Sequence, residues 1–184
     1  MKKHIITYAV YALTIMGLSA CSQEQEADGS IDAKSTPMTF AVIHPAQKAR
    51  VTDTGFENGD KIGLFVGSAD APLEIGGNLV NNEALTCDNG NWTAGRTLYW
   101  DEGTFNAYAY YPYLSPVTSI EDQPFSVSTD QGAPSEMEGL DGYEASDFLY
   151  ASTKGVSASN SPIPLTFSHI MSKVTIRPHQ GRGL

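Results

Sequence analysis

The sequence predicts an all-β protein assembled from antiparallel strands and tight turns. From Pro37 onward, short runs rich in Tyr, Phe, Val, Ile and Thr alternate with clusters of Gly, Pro, Asn, Asp and Ser. No segment sustains the 3.6-residue apolar period of a helix, and several apolar runs are separated by glycine-containing turns.

Taken in order, Met38 to Ile43 forms a first strand with Met38, Phe40 and Val42 on one face. Lys61 to Val66 forms a second, entered through the turn Glu57-Asn58-Gly59-Asp60, where Asn-Gly readily supplies positive φ. Asp88-Asn89-Gly90-Asn91 reads as a hairpin turn between Leu85-Thr86-Cys87 and Trp92-Thr93. Asp101-Glu102-Gly103 reads as another, between Thr97–Trp100 and Thr104–Tyr111, so that a meander is expected. In the last of these strands Phe105, Ala107, Ala109 and Tyr111 share one face, and Asn106, Tyr108 and Tyr110 share the other. A proline-bounded loop then leads to a strand at Phe125–Thr129, and the carboxylate-rich run Asp130–Asp147 reads as a long surface loop. Phe148–Ala151 and Ile163–Phe167 are short strands. Leu165 and Phe167 alternate in one phase while Ile170, Val174 and Ile176 follow the other, so a bulge is expected near Ser168-His169.

The N-terminus carries a different signal. Met1-Lys2-Lys3-His4 is basic, Ile5 to Leu18 is apolar, and Leu18-Ser19-Ala20-Cys21 forms a lipobox, with cleavage between Ala20 and Cys21 and lipidation of Cys21. A spanning helix is the alternative, but Ile5–Ala20 falls short of the ~20 apolar residues a span needs. Residues 21–36, acidic and polar at their start, read as a flexible tether, followed by a single domain from residue 37 to 184. An acidic segment just after the lipidated cysteine resembles surface-export signals of some lipoproteins, and it is equally compatible with an ordinary solvated linker.

Removing residues 1–20 takes Lys2 and Lys3 from the 11 basic residues and nothing from the 21 acidic ones, so the charge moves from −10 to −12 (9 − 21). Such a surface repels nucleic acid. With Cys21 lipidated, Cys87 is the one remaining thiol, and no sequence neighbour activates it as a nucleophile. His44, His169 and His179 show no metal-ligand spacing, no serine sits in a nucleophile elbow, and no Gly-rich turn opens a phosphate-binding helix. His169 reads as a buried, hydrogen-bonded strand histidine. No catalytic residue, metal site or cofactor is expected. The carboxylates of Asp130–Asp147 lack an EF-hand pattern.

Four elements resemble, in order, those of fimbrillin-like lipoproteins, the subunits and accessory proteins of pili built by strand donation. Phe56-Glu57-Asn58-Gly59-Asp60-Lys61-Ile62-Gly63-Leu64-Phe65 resembles a GD-x-IG-x-F element, and Phe105–Tyr113 an F-x-AYYPY strand. Ser146–Ala151 resembles an SD-(L/F)-L-x-A element, and Leu165–Val174 an L-x-F-x-H-x-(L/M)-SK-(V/I) strand. The resemblance spans about residues 38 to 178. It implies an antiparallel β-sandwich of transthyretin-like Greek-key topology. This chain would hold only the N-terminal domain, incomplete at its C-terminus.

It also implies a mechanism. The strand Met38, Phe40, Val42 would be displaced after proteolysis between Arg50 and Val51, and the emptied groove would accept a strand from another fimbrial subunit. The outer membrane would be engaged through the lipid on Cys21, at the cell surface or in the fimbrium, with host or bacterial surface ligands as further partners. A second reading is a surface carbohydrate-binding protein using Trp92, Tyr99, Trp100, Tyr108, Tyr110, Tyr111 and Tyr113, although alternation alone turns about half of these inward.

Overall fold

The computed structural model describes residues 31–45, 55–137 and 139–172. These are all-β apart from two single-turn 3-10 segments, Ala33–Ser35 and Glu144–Ser146. The strands are β1 (Phe40–Ile43), β2 (Lys61–Ser68), β3 (Val80–Asp88), β4 (Asn91–Ala94), β5 (Phe105–Tyr111), β6 (Leu149–Val156), β7 (Ile163–Thr166) and β8 (Ser168–His169). Six form an antiparallel sheet in the order β4-β3-β2-β5-β6-β8, and β1 and β7 form a second, two-stranded layer.

Alternation places the core between the layers. From the large sheet come Ile62, Leu64, Val66, Leu85, Ala107, Ala109 and Leu149; from the small layer come Ile163 and Leu165, with Met38, Leu98, Trp100 and Phe167 closing the ends. The expected faces of the 105–111 strand are those observed, the odd-numbered residues being buried. β2 is covered on both faces, because the segments around Leu73 and Leu114 fold over its outer side. The Asn89-Gly90 hairpin forms as expected, with φ of 50° and 80°, the left-handed pair a two-residue turn demands.

Several expectations are corrected. The second hairpin does not form: β5 pairs with β2 and β6, and Thr97–Trp100 instead reaches the N-terminal segment through a Pro37–Tyr99 bridge. The strand β1 pairs with β7 in parallel, Phe40 opposite Ile163 and Ile43 opposite Thr166, where antiparallel neighbours were expected throughout. Phe125–Thr129 is not a strand. Its Ser128 N–H is taken by the Ser146 hydroxyl at 2.8 Å, and Phe125 leans edge-on against Phe148, so side chains occupy it in place of a ladder.

The phase change near Ser168-His169 is not a bulge either. Chain residues up to Thr166 pair with β1, Phe167 is buried, and Ser168-His169 pairs with β6, so the chain switches sheets at this point. The opposite phase is not buried where it can be seen: Ile170 is exposed, and Val174 and Ile176 lie outside the described residues. The expected tether ends early: Ile31–Thr36 carry the 3-10 turn, with Asp32 capping the Lys34 N–H and Ala33 and Thr36 buried.

A bulge does occur in β3, where its register with β2 shifts between Leu64 and Val66. Asn82 sits there at φ 46°, and its amide donates to the Leu114 carbonyl at 2.8 Å. Its carboxamide oxygen accepts from the Tyr110 hydroxyl. The irregularity thus ties the segment around Leu114 down over the outer face of the sheet.

Candidate functional site

The first strand lies where the two layers open. Met38 is buried, and Phe40 and Val42 pack partly buried against the core, while Ala41 and Ile43 face out. Every apolar residue of the expected face therefore points inward. Backbone bonds hold the strand along its β7 side, where the Ile163 N–H donates to Thr39 C=O at 2.8 Å and the Phe167 N–H to Ile43 C=O at 2.9 Å. At its start, the Met38 N–H donates to Leu98 C=O at 2.7 Å and the Trp100 N–H to Thr36 C=O at 3.1 Å.

An aromatic cluster closes the other end of β1. Phe56 is its hub, meeting His44 at 4.8 Å, Trp92 at 5.1 Å, and Tyr111 and Phe167 each at 5.4 Å in edge-to-face arrangements. His44 also meets His169 at 6.0 Å, and His169 Nδ1 lies 2.8 Å from the Asp147 carboxylate. His169 is thus the hydrogen-bonded strand histidine expected from the sequence, but it is only partly buried. Its buried Nε2 has no hydrogen-bond partner among the described residues. Beneath the cluster, burial raises the Asp60 carboxyl above its usual value. The Glu57 N–H at 2.7 Å and the Tyr111 hydroxyl at 3.4 Å work in the opposite direction. Burial, reinforced by Asp60, pushes the Tyr111 hydroxyl far above the usual phenol range.

A second feature lies on the outer face of the large sheet. Phe65, Tyr110 and Phe148 stack side by side, and with Tyr108, Tyr150 and the 114–123 segment they line an apolar cleft of about 410 Å³. Burial raises the Tyr110 hydroxyl to about 12. Lys154 Nζ rests 4.1 Å above the Tyr108 ring.

The residues singled out from the sequence therefore separate. Met38, Phe40 and Val42 line one inward face. Trp100 and Tyr111 are core residues, 3% and 7% exposed, and Trp100 cannot serve as a sugar platform. Tyr108 and Tyr110 face the outer cleft, which no sequence signal pointed to beyond their parity. Cys87 is buried within β3. Ala20, Cys21, Arg50 and Val51 lie outside the described residues. Among the described residues, no group of His, Cys, Asp or Glu is placed to hold a metal ion, and no helix is long and apolar enough to cross a membrane.

Fold and site define a two-layer β protein whose first strand plugs an opening in its own core. The chain belongs to the fimbrillin-like family, whose model matches residues 49–184, beginning just beyond β1. It is 28% identical to a Bacteroides ovatus protein named as fimbrium tip subunit Fim1C, over 96% of this chain and 35% of that relative, so it spans about a third of the relative's length. The crystal structure of a protein described as a cell adhesion protein, from Bacteroides ovatus ATCC 8483, superposes with a TM-score of 0.52 at 23% identity. That match covers 72% of this chain and 52% of the other and shares the fold. A fimbrial protein from the same strain matches with a TM-score of 0.49 at 23% identity, over 73% of this chain and 28% of its own. The family is one of fimbrial proteins and not of enzymes.

Proposed function

We propose that this chain is the N-terminal part of an adhesive fimbrial subunit, delivered to the outer membrane through lipid on Cys21 and, once a cut after Arg50 has freed it from that lipid and from β1, joined to its neighbours by strand exchange at the β1 position. One observation carries the reading: β1 is a short apolar plug, facing inward through Met38, Phe40 and Val42, and paired, among the described residues, only with the parallel strand β7. Such a strand can be replaced by another of the same pattern, because the incoming segment restores the same ladder and the same side-chain pockets. The family match starting after β1, and the placing of Arg50 and Val51 between β1 and β2, agree with a cut that releases it.

A labelled synthetic peptide of residues 36–45 tests the exchange. Added to the full chain opened by a protease within residues 46–54, it should displace the resident β1 and remain bound; failure to incorporate it would refute the reading. Cleavage itself is tested separately. Assembled material should begin at Val51, and an intact lipidated N-terminus in the fimbria would exclude Arg50 as the site. Loss of palmitate incorporation in Cys21→Ser tests the anchor.

The carbohydrate reading rests on a different surface from the one first indicated. Trp100 is in the core, so a sugar would stack on the exposed Tyr99 or within the outer cleft, on Tyr108 or Tyr150. Glycan binding abolished by Tyr150→Ala with an unchanged melting temperature would favour it.

A further inference from the structure

We propose that the slot between β1 and β4 is where an incoming strand from another subunit first docks, before β1 leaves. This rests on the strand-exchange reading above and adds the order of events. The slot measures about 720 Å³ and runs between Met38–Phe40 on one bank and Asn91–Leu98 on the other.

Backbone parity determines what faces it. The bonds from Ile163 to Thr39 and from Phe167 to Ile43 show that odd-numbered residues of this segment turn their peptide groups toward β7. The peptide groups of Phe40 and Val42 therefore point the opposite way, that of Phe40 into the slot and that of Val42 just beyond its lining. On the other bank, the two-residue turn Asn89-Gly90 makes Asp88 and Asn91 a hydrogen-bonded pair. Asn91 and Thr93 then bond to β3, and the peptide groups of Trp92 and Ala94 point outward. β4 is the edge of the large sheet, and none of these four residues has a partner strand on that side among the described residues.

The same four residues turn their side chains toward the core. Two unpaired strand edges facing each other over an apolar floor match one kind of occupant: an extended segment with apolar residues at alternate positions. A sugar or a small ion could meet some of these donors and acceptors but does not repeat along both edges with apolar groups at alternate positions. A segment paired first to Trp92 and Ala94 would already be bonded when β1 gives way, so the core need never stand open to water.

Kinetics distinguish the two orders. The full chain, carrying an inserted site for a sequence-specific protease within residues 46–54, is nicked and mixed with increasing concentrations of fluorescein-labelled 36–45 peptide. Docking before release predicts a pseudo-first-order exchange rate that rises linearly with peptide concentration. Release before docking predicts a constant rate, and that result would overturn the proposal while leaving strand exchange intact. No exchange at any concentration would overturn both. Ala94→Pro removes the outward N–H of β4 without touching the β3 ladder, and it should lower the slope about three- to tenfold, the effect of one lost hydrogen bond. An unchanged slope in a folded Ala94→Pro chain would also count against the slot.

Discussion

Gly63→Ala should be among the most damaging single-methyl additions in this protein. Gly63 lies opposite Tyr110 in the β2–β5 register, and a Cβ built there would stand 2.2 Å from Tyr110 Cε1 and 2.3 Å from Cζ. Relief requires the ring to move, and three things hold it. Phe65 stacks on one side at 6.5 Å, Phe148 on the other at 6.0 Å, and its hydroxyl reaches Asn82 and the Leu114 carbonyl. Overpacking a fixed site costs roughly 1–3 kcal/mol, and the displaced hydroxyl adds about 1 kcal/mol, giving roughly 2–4 kcal/mol in total. For a domain of this size that lowers Tm by about 4–12 °C. Urea unfolding followed by circular dichroism measures both. In a Tyr110→Ala background the clash is gone, and the same Gly63→Ala change should instead stabilise by about 0.5–1 kcal/mol, because alanine loses less backbone entropy than glycine. A Gly63→Ala cost under about 0.5 kcal/mol in the wild-type chain, or an equal cost in both backgrounds, would refute the contact as its cause.

Met38→Ala should cost about 2–4 kcal/mol in the same unfolding assay, because Met38 is only 6% exposed, whereas Ile43→Ala on the outward face of the strand should cost under about 1 kcal/mol. Trp100→Ala should cost about 3–5 kcal/mol and broaden the unfolding transition, the behaviour of a core residue. Asp60→Asn should be stabilising near neutral pH. Because burial raises the folded-state pKa of Asp60, its contribution is full below the ordinary value of 3.8 and is lost as pH rises through the raised one. The Tm advantage of the variant should therefore appear at about pH 7 and vanish at about pH 3; an advantage that grows toward acid would contradict that sign.

The strands that lie in the large sheet were readable because local pattern and tertiary position agree there. Alternation along Phe105–Tyr111 named its buried face, and Asn89-Gly90 named its hairpin. Pairing was less readable. Thr97–Trp100 and Phe125–Thr129 have the composition of strands, yet one makes a single bridge to Pro37 and the other is held by a serine hydroxyl and an aromatic edge. Local composition states a preference for extended backbone and cannot state which neighbour is free to pair. An irregularity around Phe167 was visible, but the apolar pattern could not show that the chain there leaves β1 for β6, nor that Ile170 is exposed. At the candidate site, the inward face of Met38, Phe40 and Val42 was legible. The slot beside β4 was not, since it depends on which peptide groups remain unpaired once both sheets exist. Gly63 joins two of the motifs that carried the family resemblance: the glycine of GD-x-IG-x-F provides the space that the second-to-last tyrosine of Tyr108-Ala109-Tyr110-Tyr111 fills.

The parallel pairing of β1 with β7 has a consequence for how the chain folds. Phe40 and Ile163 are 123 positions apart, so the first strand has no ladder to join until nearly the whole domain has been made. Contacts of such long range form late and slowly. Through that interval the apolar side of residues 38–42 stays exposed, and another copy nearby could capture it out of turn. The net charge of −10 opposes such encounters at long range, while the charged residues nearest the strand on its C-terminal side, Lys48 and Arg50, are basic and give it no negative screen of its own.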